Sequence, residues 1–208
     1  MKEQQDYVKD LVKIRSMMER SSKFLSLSGW AGILAGIYAL SAAFIVYKFY
    51  HFNTDKILYD TASLGNLSPH LSKVIILAVL TLIIALGTAI FLSYKKAKKR
   101  NEKAWNATSK RLLANMAVPL VSGGILILIL ISKNMLGLIA PTTLLFYGMA
   151  LYNAGKFTFD EVKFMGMVQI ALGLLSSYFI EYGLLFWALG FGVVHIVYGI
   201  YMQFRYER

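Results

Sequence analysis

Between Lys73 and Lys95 the chain reads VIILAVLTLIIALGTAIFLSY, without one charged side chain. About 20 apolar residues wound as a helix cross the hydrocarbon core of a bilayer. No water is there to pair with backbone N–H and C=O groups, so only helices and closed barrels are viable. The run is continuous and does not alternate in short segments, which favours a helix and rejects a barrel. Comparable runs recur at about 25–50, 112–132, 135–153, 161–180 and 182–204, and with 72–94 they make six expected spans. Of the 208 residues, 57% are hydrophobic and 16% charged, too little polar surface for a soluble domain. The mean hydropathy of +0.56 agrees. The expected fold is an all-α integral membrane bundle of six transmembrane helices over residues 25–208. An amphipathic cytoplasmic or interfacial helix over residues 1–24 precedes it.

The net charge of +11 is clustered. In the stretch KKAKKRNEKAWNATSKR, Lys95 to Arg111, basic residues outnumber the single acid, Glu102. A loop of this kind resists translocation and marks the cytoplasmic side. Six spans with that loop inside require both termini inside. Of the 22 Lys and Arg residues, all but Lys48, Lys56, Lys73 and Lys133 then fall on the inner side. Tyr47, Tyr50 and Tyr182 are expected at the outer interface, and Tyr94, Trp105, Tyr152 and Tyr206 at the inner one. The excess charge is read as attraction to anionic lipid headgroups, not to nucleic acid, since no reading motif accompanies it. The sequence is read as a protein of the bacterial cytoplasmic membrane. No cleavable signal is evident, because the first apolar run follows about two dozen charged and mixed residues and is of full spanning length.

Residues 3–24 carry Tyr7, Leu11, Ile14 and Met18 at helical spacing, with Val8 and Val12 widening the stripe and charges opposite. Such a helix lies on the inner leaflet or on the bundle's rim. A dimerising coiled coil is the alternative, with too few heptads to support it. The first span holds Gly29, Gly32 and Gly36, the last two forming a GILAG small-xxx-small motif. The motif serves tight packing within one subunit or, alternatively, a homodimer face. The sixth span adds Gly190, Gly192 and Gly199. Pro119 and Pro141 each remove a ladder bond, freeing the carbonyls of Asn115 and Gly137, and are expected to kink their helices. Lys133-Asn134 is so short a turn that the spans it joins form an antiparallel hairpin. Thr158 followed by Glu161 fits a capping box at the start of the fifth span.

Polar residues inside a span need partners. Counting from span ends places Ser41, Thr81, Ser122, Thr142 with Thr143, Gln169 and His195 near the midplane. If they converge they line a pocket for a lipid-like ligand or a narrow path. Hydroxyls can instead bond their own helix backbone. Gln169 and His195 are the stronger candidates, because an amide or imidazole in lipid requires a partner. His195 is either a neutral hydrogen-bonded ring or a proton relay. A bundle haem would require a second axial His, and none occurs in another span. His51 and His70 fall in the outer loop with Asp55 and Asp60, at no metal-ligand spacing, and the chain has no cysteine. No metal or cofactor is expected. Carboxylates are missing from span interiors, which argues against proton- or sodium-coupled transport.

Two stretches, RSMMERSSKFLSLSGWAGILAGIYAL (Arg15–Leu40) and LYNAGKFTFDEVKFMGMVQIALGLL (Leu151–Leu175), resemble a group of small, uncharacterised multi-pass membrane proteins of Bacteroidota-type bacteria. The resemblance covers the whole chain and implies a membrane sensing or regulatory role, with no functional residues to carry over. The preferred reading is a non-enzymatic membrane module that binds a lipid-like ligand or a cytoplasmic protein partner. A small transporter or channel through the polar midplane is second. A membrane enzyme at the cytoplasmic rim, where Arg15, Glu19 and Arg20 cluster, is third.

Overall fold

A computed structural model describes residues 23–24, 27–49, 69–99 and 105–206. The expected amphipathic helix, the loop at 51–68 and the centre of the basic loop lie outside the described residues. What is described is helical, and no strand occurs in it. The order is α1 (Gly29–Phe49), α2 (Pro69–Lys99), α3 (Ala107–Ser132), a 3₁₀ turn (Leu136–Leu138), α4 (Ile139–Ala154) and α5 (Asp160–Tyr178). A second 3₁₀ turn (Ile180–Tyr182), α6 (Gly183–Trp187), a π-helical segment (Ala188–Val194) and α7 (His195–Tyr206) then form one last helical run.

Among the described residues, five stretches are long and apolar enough to cross a membrane: Gly29–Phe49, Ser72–Lys99, Ala107–Ser132, Leu136–Ala154 and Ile180–Tyr206. The expectation is six; five helices among the described residues have that length and composition. α5 falls short because Asp160, Glu161 and Lys163 open it and Gln169 interrupts its middle.

The helices do not pack in sequence order. α2 lies against α1, and α1 against the π segment and α7; α3 lies against α4, and α4 against α5. α6 and the π segment touch α4 and α5 and so join the two groups. α2 and α3 are consecutive yet do not pack side by side. Ile76, Leu82, Ile83 and Ile90 of α2 are all more than half exposed, a surface that hydrocarbon covers without cost.

Association inside lipid depends on close packing, because apolar tails are as good a solvent as leucine. Glycine supplies it here. At α1, a Cβ on Gly29 would sit 2.6 Å from the Gly199 carbonyl oxygen, and one on Gly36 2.6 Å from that of Gly192. Gly32 lies over Gly199 Cα and the His195 carbonyl, both at 3.2 Å. The five glycines expected to pack (Gly29, Gly32, Gly36, Gly192 and Gly199) thus occupy one interface within the chain, and the GILAG face is covered by α7. Gly148 and Gly166 make the equivalent contact between α4 and α5.

The turns follow local chemistry. Asn106 and Ser109 cap α3 reciprocally: Ser109 N–H donates to Asn106 Oδ1 and Asn106 N–H to Ser109 Oγ, both at 2.8 Å. α3 ends in a Schellman turn, with Met135 N–H on the Leu130 carbonyl and Asn134 N–H on that of Ile131. Asn134 takes the left-handed conformation there, φ 57°, which asparagine tolerates better than most residues. This is the tight Lys133-Asn134 hairpin expected from the sequence. Pro119 lies inside α3, which continues through it to Ser132. Pro141 is different from expectation: α4 begins at Ile139, so the proline sits in a first turn where its missing N–H has no helical partner to lose.

Thr158 also departs from expectation. Phe159 is the N-cap of α5, and no side chain caps it. The Thr158 hydroxyl instead donates to the Phe24 carbonyl at 2.6 Å, while Phe24 N–H donates to the Phe157 carbonyl at 2.7 Å. Lys23 Nζ lies 3.5 Å from Asp160 Oδ1. The segment entering α1 is therefore strapped to the α4–α5 turn. Beneath it is the main apolar cluster, with Leu112, Leu151, Phe159, Val162, Met165 and Met202 buried and Phe24 and Leu27 packed on them. The α1–α2 pair joins this end through Lys96, whose ammonium donates to the Leu27 carbonyl.

Candidate functional site

Among the described residues, the π segment creates a place where buried polar side chains meet. A π turn is wider than an α turn and often marks a functional position. Here it brings the His195 ring back over the residue five before it, with Nδ1 2.9 Å from the Gly190 carbonyl oxygen. Gln169 Nε2 of α5 donates to the same oxygen at 2.8 Å. Both lone pairs of that carbonyl are engaged. A side chain at 190 is excluded, because a Cβ would lie 2.4 Å from Leu144 Cδ2 and 2.5 Å from Gln169 Oε1. The missing side chain at 190 is what lets α5 approach.

The tautomer of His195 follows from its partners. A carbonyl only accepts, so Nδ1 carries the hydrogen. In the neutral ring Nε2 is then the acceptor, and the Tyr147 hydroxyl, 2.9 Å away, donates to it. Aromatic rings wall the imidazole. Tyr147 lies nearly parallel to it with centroids 5.5 Å apart, and Phe191 likewise at 5.8 Å. Trp187 packs on Phe191 at 5.1 Å. Gln169 is fully buried and His195 only 7% exposed.

Four buried polar atoms have no protein partner among the described residues: Gln169 Oε1, Ser176 Oγ, Tyr198 Oη and Gln203 Oε1. Leaving such an atom unmatched costs on the order of 1–3 kcal/mol. Gln169 Oε1 faces the Gly190 hydrogen that stands where a Cβ would be, a weak C–H···O contact at best.

The other sequence candidates lie elsewhere. Thr142 is buried on α4. Thr143, Thr81 and Ser122 return their hydroxyls to their own helices, at Ala140, Leu77 and Val118. Ser122 and Ser41 are exposed. The structure thus brings Gln169 and His195 to one atom and leaves the hydroxyls of Ser41, Thr81, Ser122 and Thr143 apart from it. Sequence reasoning missed Tyr147 and Gly190. Tyr147 did leave a signal: it sits mid-helix, away from the interfaces where tyrosine gathers. Among the described residues no three His, Asp or Glu side chains are grouped as metal ligands.

A second polar group lies at the basic end. Tyr206 donates to Glu161 Oε1 at 2.8 Å, and Arg205 Nη1 is 3.4 Å from the same oxygen. Arg205 also donates to Tyr201 and lies over its ring and that of Tyr206. Lys110 over Trp105 and Lys163 over Tyr152 repeat the pairing of cation and ring at this end. No family model, curated protein or solved structure matches the chain.

Proposed function

We propose that the protein is a non-enzymatic, six-span module of the bacterial cytoplasmic membrane with a sensing or regulatory role. Its basic end faces the cytoplasm and carries both termini. α5 crosses beside α4, because the two helices run together from Gly155 against Lys163 at one end to Leu145 against Gly173 at the other. The kinship with small multi-pass proteins of Bacteroidota-type bacteria is part of this reading. The cytoplasmic face meets anionic headgroups through Lys98, Lys99, Lys110 and Arg111, and presents the N-terminal segment to a protein partner.

One observation carries the proposal: the segment before α1 is strapped to the bundle by the Phe24–Phe157, Thr158–Phe24 and Lys23–Asp160 contacts. A change of packing in the bundle is thereby felt by the charged residues that precede it. The filled centre supports a module over a transporter. Leu144 and Gln169 beside Gly190, and Ser176 further along α5, are fully buried, as a packed centre requires.

The chain has no cysteine, so a single introduced one is a unique handle. Impermeant maleimide added to intact cells should label Lys133→Cys and spare Lys103→Cys until the membrane is opened. A fluorophore on Ser21→Cys in nanodiscs should change signal when anionic lipid replaces zwitterionic lipid. Labelling of Lys103→Cys from outside would overturn the orientation, and a lipid-independent signal would overturn the sensing role.

A further inference from the structure

We infer that His195 is a proton-loading site inside the bundle, fed from the basic end along Glu161, Tyr206, Tyr198 and Tyr147. The inference goes beyond the sensing role and is tested apart from it.

His195, Tyr198, Met202 and Tyr206 recur on α7 at spacings of three and four, which puts them on one helix face. That face meets the apolar cluster against which Tyr147, Tyr198 and Tyr206 all pack. At its outer end the line starts at Glu161, whose side chain is 20% exposed and accepts from Tyr206. At its inner end Tyr147 donates to His195 Nε2. Between them the Tyr198 hydroxyl is buried with no protein partner. A buried hydroxyl that both donates and accepts, placed between two other phenols, is what a relay requires. Water is needed at both gaps: a chain past Met202 that carries the proton from Tyr206 to Tyr198 across about two helical turns, and one water accepting from Tyr198 and donating to Tyr147.

The proton balance is simple. Nδ1 already holds a hydrogen on the Gly190 carbonyl, so Nε2 is the loading atom. Tyr147 passes its proton to Nε2 and takes one from the Tyr198 side. Each hydroxyl regains what it gave, and one proton leaves the aqueous phase at Glu161. The product is an imidazolium with Tyr147 Oη turned to accept from Nε2–H. No bond other than O–H and N–H changes.

Beyond His195 the line ends. Leu144 is fully buried against Gly190, and Gly173 lies so close to α4 that a Cβ would meet Leu145 at 2.7 Å. Loading is therefore from one side, with no conduction through the bundle. The groups facing the ring are few. α4 offers Tyr147, and α5 offers Gln169, with Asp160, Glu161 and Lys163 at its start. α6 and the π segment carry no titratable side chain, and α1 meets this stretch through Gly32 and Gly36. Tyr198, Tyr201, Arg205 and Tyr206 complete the set on α7 itself.

The test uses ¹⁵N-histidine protein carrying His51→Gln and His70→Gln, so that His195 is the one imidazole observed. It is placed in closed vesicles whose orientation is read by impermeant labelling of Lys133→Cys, and followed by solid-state NMR. At neutral pH the ring should show the Nδ1–H tautomer. Acid on the side of the basic end should convert it to imidazolium, and acid on the other side alone should not. Tyr198→Phe keeps the ring and its packing, and should slow the conversion about a hundredfold, the low end for removing a positioned proton carrier. The inference is overturned by the Nε2–H tautomer, by equal response from both sides, by no imidazolium at any pH where the bundle stays folded, or by an unchanged rate in Tyr198→Phe.

Discussion

The contact between α1 and α7 gives the sharpest test of how this bundle is held. A Cβ on Gly199 would lie 2.5 Å from the Gly29 carbonyl oxygen, 2.6 Å from Ile33 N and 2.8 Å from Ile33 Cγ1. The two nearest atoms are backbone and have no rotamer to change. Restoring an ordinary separation of about 3.5 Å requires α1 and α7 to part by about 1 Å, and a gap of that size forfeits up to about half of each dispersion contact it opens. Overpacking of this kind costs about 1–3 kcal/mol, and the backbone character of the contact puts Gly199→Ala near the upper end. Against this stands a gain of at most about 1 kcal/mol for alanine in a helix interior. That gain shrinks toward nothing if the helices stay wound in the unfolded state, as helices in lipid do. The net expectation is a loss of about 2 kcal/mol. Gly87→Ala and Gly124→Ala are the controls, since nothing lies within 4 Å of a Cβ at either position. Both should fall between neutral and about 1 kcal/mol more stable. Reversible unfolding of the three variants in mixed micelles measures the difference. If Gly199→Ala matches or exceeds Gly87→Ala, close backbone approach is not what joins α1 to α7.

Three further outcomes follow from single contacts. Asn106→Ala removes the cap that receives Ser109 N–H, and should cost about 1 kcal/mol, with faster amide exchange confined to the first turn of α3. Thr158→Val leaves the Phe24 carbonyl without its donor; a loss of about 1–2 kcal/mol is expected, together with quicker proteolysis ahead of α1 and unchanged far-UV dichroism. Gln169→Leu and His195→Leu each leave the Gly190 carbonyl one side-chain donor, whereas the pair leaves it no side-chain donor. Gln169→Leu should be mild, His195→Leu should cost about 1–3 kcal/mol because the Tyr147 hydroxyl also loses its acceptor, and the double should exceed their sum by about 0.5–3 kcal/mol, the coupling of two side chains on one buried carbonyl. Additive losses in the thermal midpoints would show that the shared carbonyl is not what couples the two side chains.

Hydropathy alone located the helices, because charge-free length is a one-dimensional property of a chain in lipid. It placed α1, α2, α3, α4, α5 and the last run to within about five residues, although α5 is less apolar than the others. That helix draws its apolar partner from α4 and tolerates Asp160, Glu161 and Gln169 in its own sequence. The glycine interface was half legible: Gly29, Gly32 and Gly36 announced a close contact, but the spacing could not say whether the partner was α7 or a second copy. Gln169 and His195 were found because an amide and an imidazole are costly in hydrocarbon. Their meeting point was not legible. It is a backbone carbonyl in a π segment, and neither the carbonyl nor the extra residue in that turn has a sequence signature. Thr158 shows the opposite failure. Its spacing to Glu161 matches a capping box, yet the Phe24 carbonyl, 134 residues away in sequence, takes its hydroxyl instead.

The glycines and the buried polar groups are two sides of one constraint. Where glycine faces glycine, backbones approach until carbonyl oxygens enter the interface, as those of Gly29, Gly192 and Gly199 do. In a helix these oxygens already serve the ladder and tolerate a dry neighbour. The π segment differs, because its wider turn lets two side chains reach the Gly190 carbonyl as well. A side chain carried in by another helix, or curled back along the same one, can pair with it. Gln169 does the first and His195 the second. The imidazole is thus fixed at one nitrogen by a structural need that has nothing to do with protons. That same fixation leaves its other nitrogen facing Tyr147 as an acceptor. A bundle that had filled 190–195 with an ordinary α turn would have needed neither Gln169 nor His195, and would have had no polar atom at this depth to load.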